Sequence, residues 1–435
     1  MKNKTEKAQI ALERIIKQDN RVQYSFTYTD ELARFFSDFE FVIEYPESIE
    51  DVPDAILSIP FAVNVLPIAW LTDSTLFIPY LDKDFYESIP NFKKGYANMY
   101  PEAAWLGEVV ADNIVDCTRD DINGSAAFFS GGLDATTTLM LHYEEKPELF
   151  VLWGADVKYD NAKGWAVMEK GLSDAAALHD LPLYVIHTSF REFDNEGVLH
   201  GEFYPILKDG WWHGVKHSIG IIGQAAPLMW LHKLKTLYIA STFTSRHKNV
   251  RCASYPTIDE NVSFCGCNVV HDGFEFNRQE KTHFVVKRKD ELNVPVLLKV
   301  CWESQAGNNC SKCEKCYRTM VGLWVEGADP ADYGFDFDIN KVFDEIYDLI
   351  AIKSPSVPSL WNNIKDKLID NWEVLKNDPC AKKLAWIKDF DFEHLESNRC
   401  RKRYNRRFIF KRVKAKLAKK CPWLLSAYHK VTHKN

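Results

Sequence analysis

Two short stretches of this chain combine residue types and spacings suited to chemistry. The first is Ser130-Gly131-Gly132-Leu133-Asp134, with Thr136 and Thr137 close behind. Adjacent glycines let the backbone turn sharply and approach a ligand with no Cβ in the way. A helix starting after such a turn points its unpaired N–H groups and its positive dipole end into the turn. Ser130 and the threonines add hydroxyl donors. Asp134 is placed to cap the helix or to help hold Mg²⁺ near bound phosphates. Together these residues describe an anion cradle sized for phosphates. A plain strand-turn-helix uses similar glycines, but the apolar run Ser125-Ala126-Ala127-Phe128-Phe129 puts this turn at the end of a strand that opens a sheet domain. The chain has no Gly-x-x-x-x-Gly-Lys-Ser/Thr, so a kinase-type loop carrying its own lysine is excluded.

The second stretch supplies four thiols, Cys301, Cys310, Cys313 and Cys316. Two overlapping Cys-x-x-Cys units share Cys313, and Gly307-Asn308-Asn309 lets the loop fold back so that Cys301 joins them. Four thiolates suit tetrahedral Zn²⁺ with closed coordination, a structural rather than a catalytic site. An iron–sulfur cluster is the alternative occupant, at spacings usually different from these. Zinc here would fix a loop beside the active site, and its binding energy would be folding energy.

The first segment resembles the PP-loop of the ATP pyrophosphatase superfamily. Its pairing, in the same order, with a Cys-x₈-Cys-x₂-Cys-x₂-Cys loop is similar to the 7-cyano-7-deazaguanine synthase family. The resemblance spans roughly residues 123–325. It implies that Ser130, Gly131, Gly132, Leu133 and Asp134 bind the pyrophosphate part of ATP, that the α-phosphate is attacked, and that pyrophosphate leaves. The family motif ends in Asp-Ser; here Ala135 follows Asp134, and Thr136 or Thr137 is expected to supply the hydroxyl. By position in such a fold, Gly154 lies where adenine rests. ATP, Mg²⁺ and Zn²⁺ are therefore the expected cofactors.

Other residues qualify by type. Arg246, Lys248 and Arg251 lie in a basic segment after a predicted strand and suit pyrophosphate or a substrate carboxylate, or a solvated loop. Arg278 and Lys281 fall one helical turn apart on a shared face, from which Lys281 reaches for a phosphate. Asp134, Lys281 and Arg246 are thus the candidate catalytic residues. Asp259, His271 and Asp272 suit acid–base or metal roles, or simply turns. Cys265-Gly266-Cys267 reads as core cysteines or as a thiol pair for sulfur transfer.

These residues need a frame. From 121 to 328 near-continuous apolar strands (Ser125–Phe129, Glu148–Trp153, Leu183–His187, Thr236–Ala240) alternate with helical stretches (Ala135–Tyr143, Ala162–His179, Ile219–Lys233), the pattern of a parallel sheet covered on both faces. Such sheets bind ligands at the carboxyl ends of their strands. The expected class is α/β, a Rossmann-like, HUP-like PP-loop domain. Residues 1–120 read as an α+β accessory domain, with a charged helix over Lys7–Lys17 and strands at Phe39–Tyr45 and Ser74–Pro79. The uncharged run Ala55–Thr72 contains Pro60 and Pro67 and reads as buried strands and turns, with a membrane span as the lesser possibility. Residues 329–397 read as a helical extension, with helices over Ile339–Ile352 and Leu360–Leu375.

Composition limits the rest. With 46% hydrophobic and 26% charged residues over 435 positions, the chain has the composition of globular domains. The 11 cysteines without an export signal fit a reducing, cytoplasmic compartment, where clustered cysteines bind metals or react. The formal charge of −7 is uneven: Asn398–Asn435 holds 14 Lys and Arg and no acid. Ile409, Val413, Leu417, Cys421, Leu424 and Tyr428 space an apolar stripe through this basic tail 398–435, suiting an anionic membrane surface more than RNA. The expected activity is adenylation of a carboxylate or amide-type oxygen of a small-molecule substrate, then attack by a nitrogen nucleophile. Sulfur transfer to a nucleobase and non-catalytic ATP sensing at a membrane are the rivals.

Overall fold

The computed structural model describes residues 7–246, 250–301, 303–304, 308–352 and 358–393. Lys248 and the basic tail, both singled out in the sequence, lie outside them. Among the described residues the chain forms two compact units, one within Met1–Val300 and Ser304–Asn308, the other within Cys301–Glu303 and Asn309–Asn435.

The first unit opens with β1 (Gln9–Gln18), β2 (Arg21–Tyr28) and β3 (Phe41–Glu44). The helix expected over Lys7–Lys17 is therefore a strand. Ile10 and Leu12 alternate into the core, and the pairing with β2 shifts between Leu12 and Arg14. That bulge breaks the period-two pattern, so the charged residues beyond it resemble a solvated helix.

Next comes α1 (Asp54–Leu71), where strands and turns were expected. Pro60 and Pro67 sit inside it, each costing about 3 kcal/mol by intrinsic propensity. Ile56, Leu57, Ile59, Phe61, Val63, Val65, Leu66 and Ile68 are all fully buried. At about 1.5–3 kcal/mol for each large apolar side chain, burial outweighs both prolines. Asn64 Nδ2 donates to the Pro60 carbonyl at 2.8 Å. By length and hydropathy α1 could cross a membrane, but 89% of it is buried within the protein.

After β4 (Thr75–Asp82), α2 (Lys83–Met99) and β5 (Glu108–Val115) the chain enters a β–α alternation. Its members are β6 (Ser125–Phe128), α3 (Leu133–Leu141), β7 (Glu148–Trp153), α4 (Ala162–Ala177), β8 (Leu183–Thr188) and α5 (Glu196–Leu207). A π-helical turn at Trp212–Lys216 leads to the short helices α6 (Ile219–Ile222) and α7 (Ala226–Leu231). Then follow β9 (Thr236–Ala240), α8 (Pro256–Asp259), β10 (Ser263–Phe264), β11 (Cys267–Asp272) and α9 (Arg278–Leu292).

All eleven strands join one sheet in the order β10-β11-β9-β6-β7-β8-β3-β2-β1-β4-β5. The run β11-β9-β6-β7-β8 is parallel throughout. β3 continues it antiparallel to β8, through Ile43 opposite Thr188 and Glu44 opposite His187. Residues 7–120 therefore share a sheet with the β–α alternation, and one hydrophobic cluster runs from Ile10 through Trp70 and Phe150 to Val269. Connections leave β6 toward β7 and leave β9 toward β11, in opposite directions from adjacent strands. That makes the gap between the carboxyl ends of β6 and β9 a topological switch point, where open α/β sheets bind ligands.

The second unit is helical: α10 (Glu314–Trp324), α11 (Val342–Tyr347), α12 (Pro358–Asp370), α13 (Trp372–Leu375) and α14 (Pro379–Leu384). Several polar contacts tie α10 to its neighbours and along its own length. Trp361 Nε1 donates to Glu314 Oε1 at 2.8 Å, Arg318 pairs with Glu314, and the Tyr317 hydroxyl donates to Glu345.

Candidate functional site

The Ser130-Gly131-Gly132 turn leaves the carboxyl end of β6 at the switch point. Gly131 has φ +70, a conformation open to glycine at little cost. It also packs closely: an added Cβ would lie 3.0 Å from Leu172 and 3.3 Å from Lys299 Cβ. The Lys299 backbone N–H donates to the Gly131 carbonyl at 2.6 Å, so the segment before Cys301 braces the turn from outside. Ser130 is exposed. Gly132 is the N-cap of α3, and among the described residues no side chain makes a capping hydrogen bond there. Leu133 is buried below.

Asp134, in the first turn of α3, meets two cations from α9. Arg278 Nη1 is 2.9 Å from Oδ2 and Lys281 Nζ is 3.2 Å from Oδ1. Lys281, only 2% exposed at its side chain, also donates to the Ser241 carbonyl just beyond β9. It thereby ties the loops of β6 and β9 together across the switch point. The capping box on α9, Asn277 with Glu280, fixes where that helix begins and so where both cations fall. With both oxygens of Asp134 facing cations, the donor set does not suit Mg²⁺.

The expected threonines divide. Thr137 donates its hydroxyl to the Leu133 carbonyl at 2.8 Å, so its oxygen serves the helix rather than a ligand, as helical threonines one turn on commonly do. Thr136 Oγ1 is buried with no hydrogen-bond partner among the described residues. Ala135 faces the apolar cluster of Phe129, Leu139 and Trp165, which a serine hydroxyl would not suit.

Arg246 does not join Asp134. It is exposed, pairs with Glu280 at 2.8 and 2.9 Å, and donates to the Glu275 carbonyl. Arg251 pairs with Glu102 at 2.7 Å. Gly154 is obligatory: φ is +121, and a Cβ would lie 1.8 Å from the Thr188 carbonyl oxygen. Beside it runs an aromatic stack. Trp153 lies between Trp165 and His187, with ring centroids 5.3 and 3.7 Å away, and Tyr159 covers the far face of His187 at 4.1 Å.

The other acid–base candidates are held in hydrogen-bonded clusters, buried around Asp259 and partly exposed around Asp272. Asp259 accepts from Ser218, from Ser254 at 2.9 Å and from His271 Nδ1 at 2.7 Å, all beneath the surface. Asp272 holds His142 Nε2 at 3.0 Å, while Glu145 holds Nδ1 at 2.8 Å and Tyr238 stacks on the ring at 3.7 Å. Burial opposes the charged imidazole of His142, but its bonds to Asp272 and Glu145 prevail and raise its pKa. Cys265 and Cys267 are buried, their sulfurs 3.6 Å apart. They sit at the turn into the amino end of β11, across the sheet from the Ser130 turn.

In the second unit the four predicted cysteines converge, every Sγ within 4.8 Å of the others. Zn–S bonds of about 2.3 Å imply tetrahedron edges of about 3.8 Å. The Cys301–Cys313 and Cys310–Cys316 sulfurs are 3.8 and 3.9 Å apart. The N–H groups of Lys312 and Cys313 point at Cys310 Sγ, at 3.4 and 3.3 Å, and that of Cys316 at Cys313 Sγ, at 3.5 Å. Ser311 makes the tight knuckle with φ +51. These four residues could hold a metal such as zinc.

Lys299 escaped sequence reasoning. Its only signal is a lone cation in the apolar stretch 294–300, with no periodicity to give it a place. No protein-family model, curated protein or solved structure matches this chain.

Proposed function

We propose that the chain is an ATP-dependent enzyme that adenylates a small-molecule acid or amide at oxygen and passes the activated group to a nitrogen nucleophile. The observation that carries this reading is the joint placement of the Ser130-Gly131-Gly132 turn and the Arg278–Lys281 pair around the start of α3, at the switch point of a parallel sheet. Backbone N–H groups at the helix start suit the leaving pyrophosphate. Two cations from α9 suit the charge that builds on phosphate oxygens in transfer, the electrostatic stabilisation worth most in a partly buried site. Asp134 holds those cations in place.

The likeness to PP-loop enzymes noted in the sequence agrees with this reading and supplies the reaction order. Substrate oxygen attacks the α-phosphorus, pyrophosphate departs, and the nitrogen nucleophile then displaces AMP. Sulfur transfer is disfavoured because Cys265 and Cys267 lie at the opposite ends of the strands. Acid-dependent exchange of labelled pyrophosphate into ATP tests the first half-reaction. Exchange that requires one acid and is lost in Lys281→Met supports it; ATP hydrolysis to ADP and phosphate refutes it.

A further inference from the structure

The two edges of the sheet differ. One, β10, is only two residues long. The other, β5, is eight residues long and contains no Lys, Pro or Gly. Its pairing with β4 keeps one register from Thr75 opposite Glu108 to Asp82 opposite Val115. Short strands, lysine, proline and bulges are the usual ways to blunt an edge, and β5 has none of them.

The Glu108 N–H donates to the Ser74 carbonyl at 3.1 Å, which sets the ladder. Glu108, Val110, Asp112 and Ile114 bond to β4, because parallel strands alternate the direction of their bonds residue by residue. The N–H and C=O groups of Val109, Ala111, Asn113 and Val115 therefore point away from the sheet, and none has a hydrogen-bond partner among the described residues. The side chains of Val109, Ala111 and Val115 pack inward on the core, beneath α1 and α2. The opposite face carries Glu108, Val110, Asp112 and Ile114, and exposed Asp116 comes next in line. Val110 and Ile114 are 39% and 49% exposed. Lys7 pairs with Glu108, whereas Asp112 has no ion pair among the described residues. Acids thus recur at every fourth residue along an open edge, with an exposed branched apolar side chain between them.

We propose that β5 receives an extended segment of another protein as an added antiparallel strand, with basic residues at every fourth position and β-branched residues between. The backbone groups of Val109, Ala111, Asn113 and Val115 supply the ladder. Basic residues opposite Asp112 and its neighbouring acids, and apolar ones opposite Val110 and Ile114, supply the choice of partner. A second copy of this chain does not fit. The symmetric register that sets Val110 against Ile114 also sets Asp112 against Asp112, and like charges directly opposite repel. Shifting that register by two residues sets acids against Val110 or Ile114 instead.

The probe is a blocked fluorescent peptide of about nine residues, the length that spans Glu108 to Asp116, with lysine at every fourth position and valine or threonine between. Anisotropy with the full chain reads binding, and hydrogen exchange reads the β5 amides. The lysine peptide is expected to bind and to slow exchange at Val109, Ala111, Asn113 and Val115, and its glutamate counterpart to stay free. In such a pair the lysine N–H groups face away from β5. N-methylation of the lysines should therefore be tolerated, and N-methylation of their immediate neighbours should abolish binding. Asp112→Lys, at an exposed position, should weaken the lysine peptide about 3- to 10-fold and favour the glutamate one. Ala111→Pro removes an outward N–H while sparing the ladder to β4, and should abolish binding; the methylated peptides decide even where that variant fails to fold. No binding, equal binding of the two peptides, or indifference to methylation of the neighbours overturns the proposal. So does slow exchange of those amides in the chain alone, which would mean that the edge is already filled. None of these outcomes depends on ATP chemistry.

Discussion

Lys281 Nζ lies 3.2 Å from Asp134 Oδ1, joining the first turn of α9 to the first turn of α3. The same ammonium donates to the Ser241 carbonyl, so one buried side chain holds both loops of the switch point. Lys281→Met removes it at similar length. Arg278 still faces Asp134, so we expect a stability loss of about 1–3 kcal/mol rather than unfolding. Acid-dependent ATP turnover should fall about 10²-fold or more. Denaturant titration and kcat/KM measure the two effects separately.

Gly154→Ala should be costly although it adds one methyl. The new Cβ would lie 1.8 Å from the Thr188 carbonyl, at a backbone angle few other residues adopt. Strain and overpacking together predict a loss on the order of 2–4 kcal/mol. Gly171→Ala is the control, since nothing lies within 4 Å of its added methyl. It should be neutral or slightly stabilising in the same denaturation experiment.

The thiol cluster predicts one zinc per chain, read by elemental analysis of the protein as purified. Cys310→Ser with Cys313→Ser should abolish it. Chelation should loosen the second unit, seen as faster hydrogen exchange in α10, because binding energy in such sites is folding energy. Strong visible absorbance would instead indicate an iron–sulfur cluster.

His142 should make stability depend on pH. Its folded-state pKa is raised by Asp272 and Glu145 against the opposing effect of burial. The folded protein therefore binds the proton more tightly than the unfolded chain. The stabilisation is complete below the unfolded histidine value of about 6.5 and disappears as pH rises through the folded one. His142→Gln should narrow the difference in unfolding free energy between about pH 6 and about pH 9, and His232, raised by Glu148 and Glu47, should retain its own share.

The sequence reveals the parallel strands well because Glu148–Trp153 and Thr236–Ala240 are continuous apolar runs bounded by polar residues. The four cysteines are legible because metal spacing is local. Two local rules misled: prolines argued against α1, where burial prevailed, and charge argued for a helix at Lys7–Lys17, where a bulge hid the strand. The union of residues 7–120 with the parallel strands depends on β3 meeting β8 across well over a hundred residues, and no short-range pattern encodes it. The partnership of Asp134 with Arg278 and Lys281 is equally long-range. The sequence shows that the two cations share a helix face, but not what that face meets.

The most direct test of the central claim is product analysis with ATP, Mg²⁺, ammonia and a panel of carboxylic acids, using the zinc-loaded protein and Asp134→Ala beside it. The account predicts AMP and pyrophosphate in equal amounts, dependent on one acid and absent in the variant. No binding of ATP, or release of ADP and phosphate in their place, would contradict it.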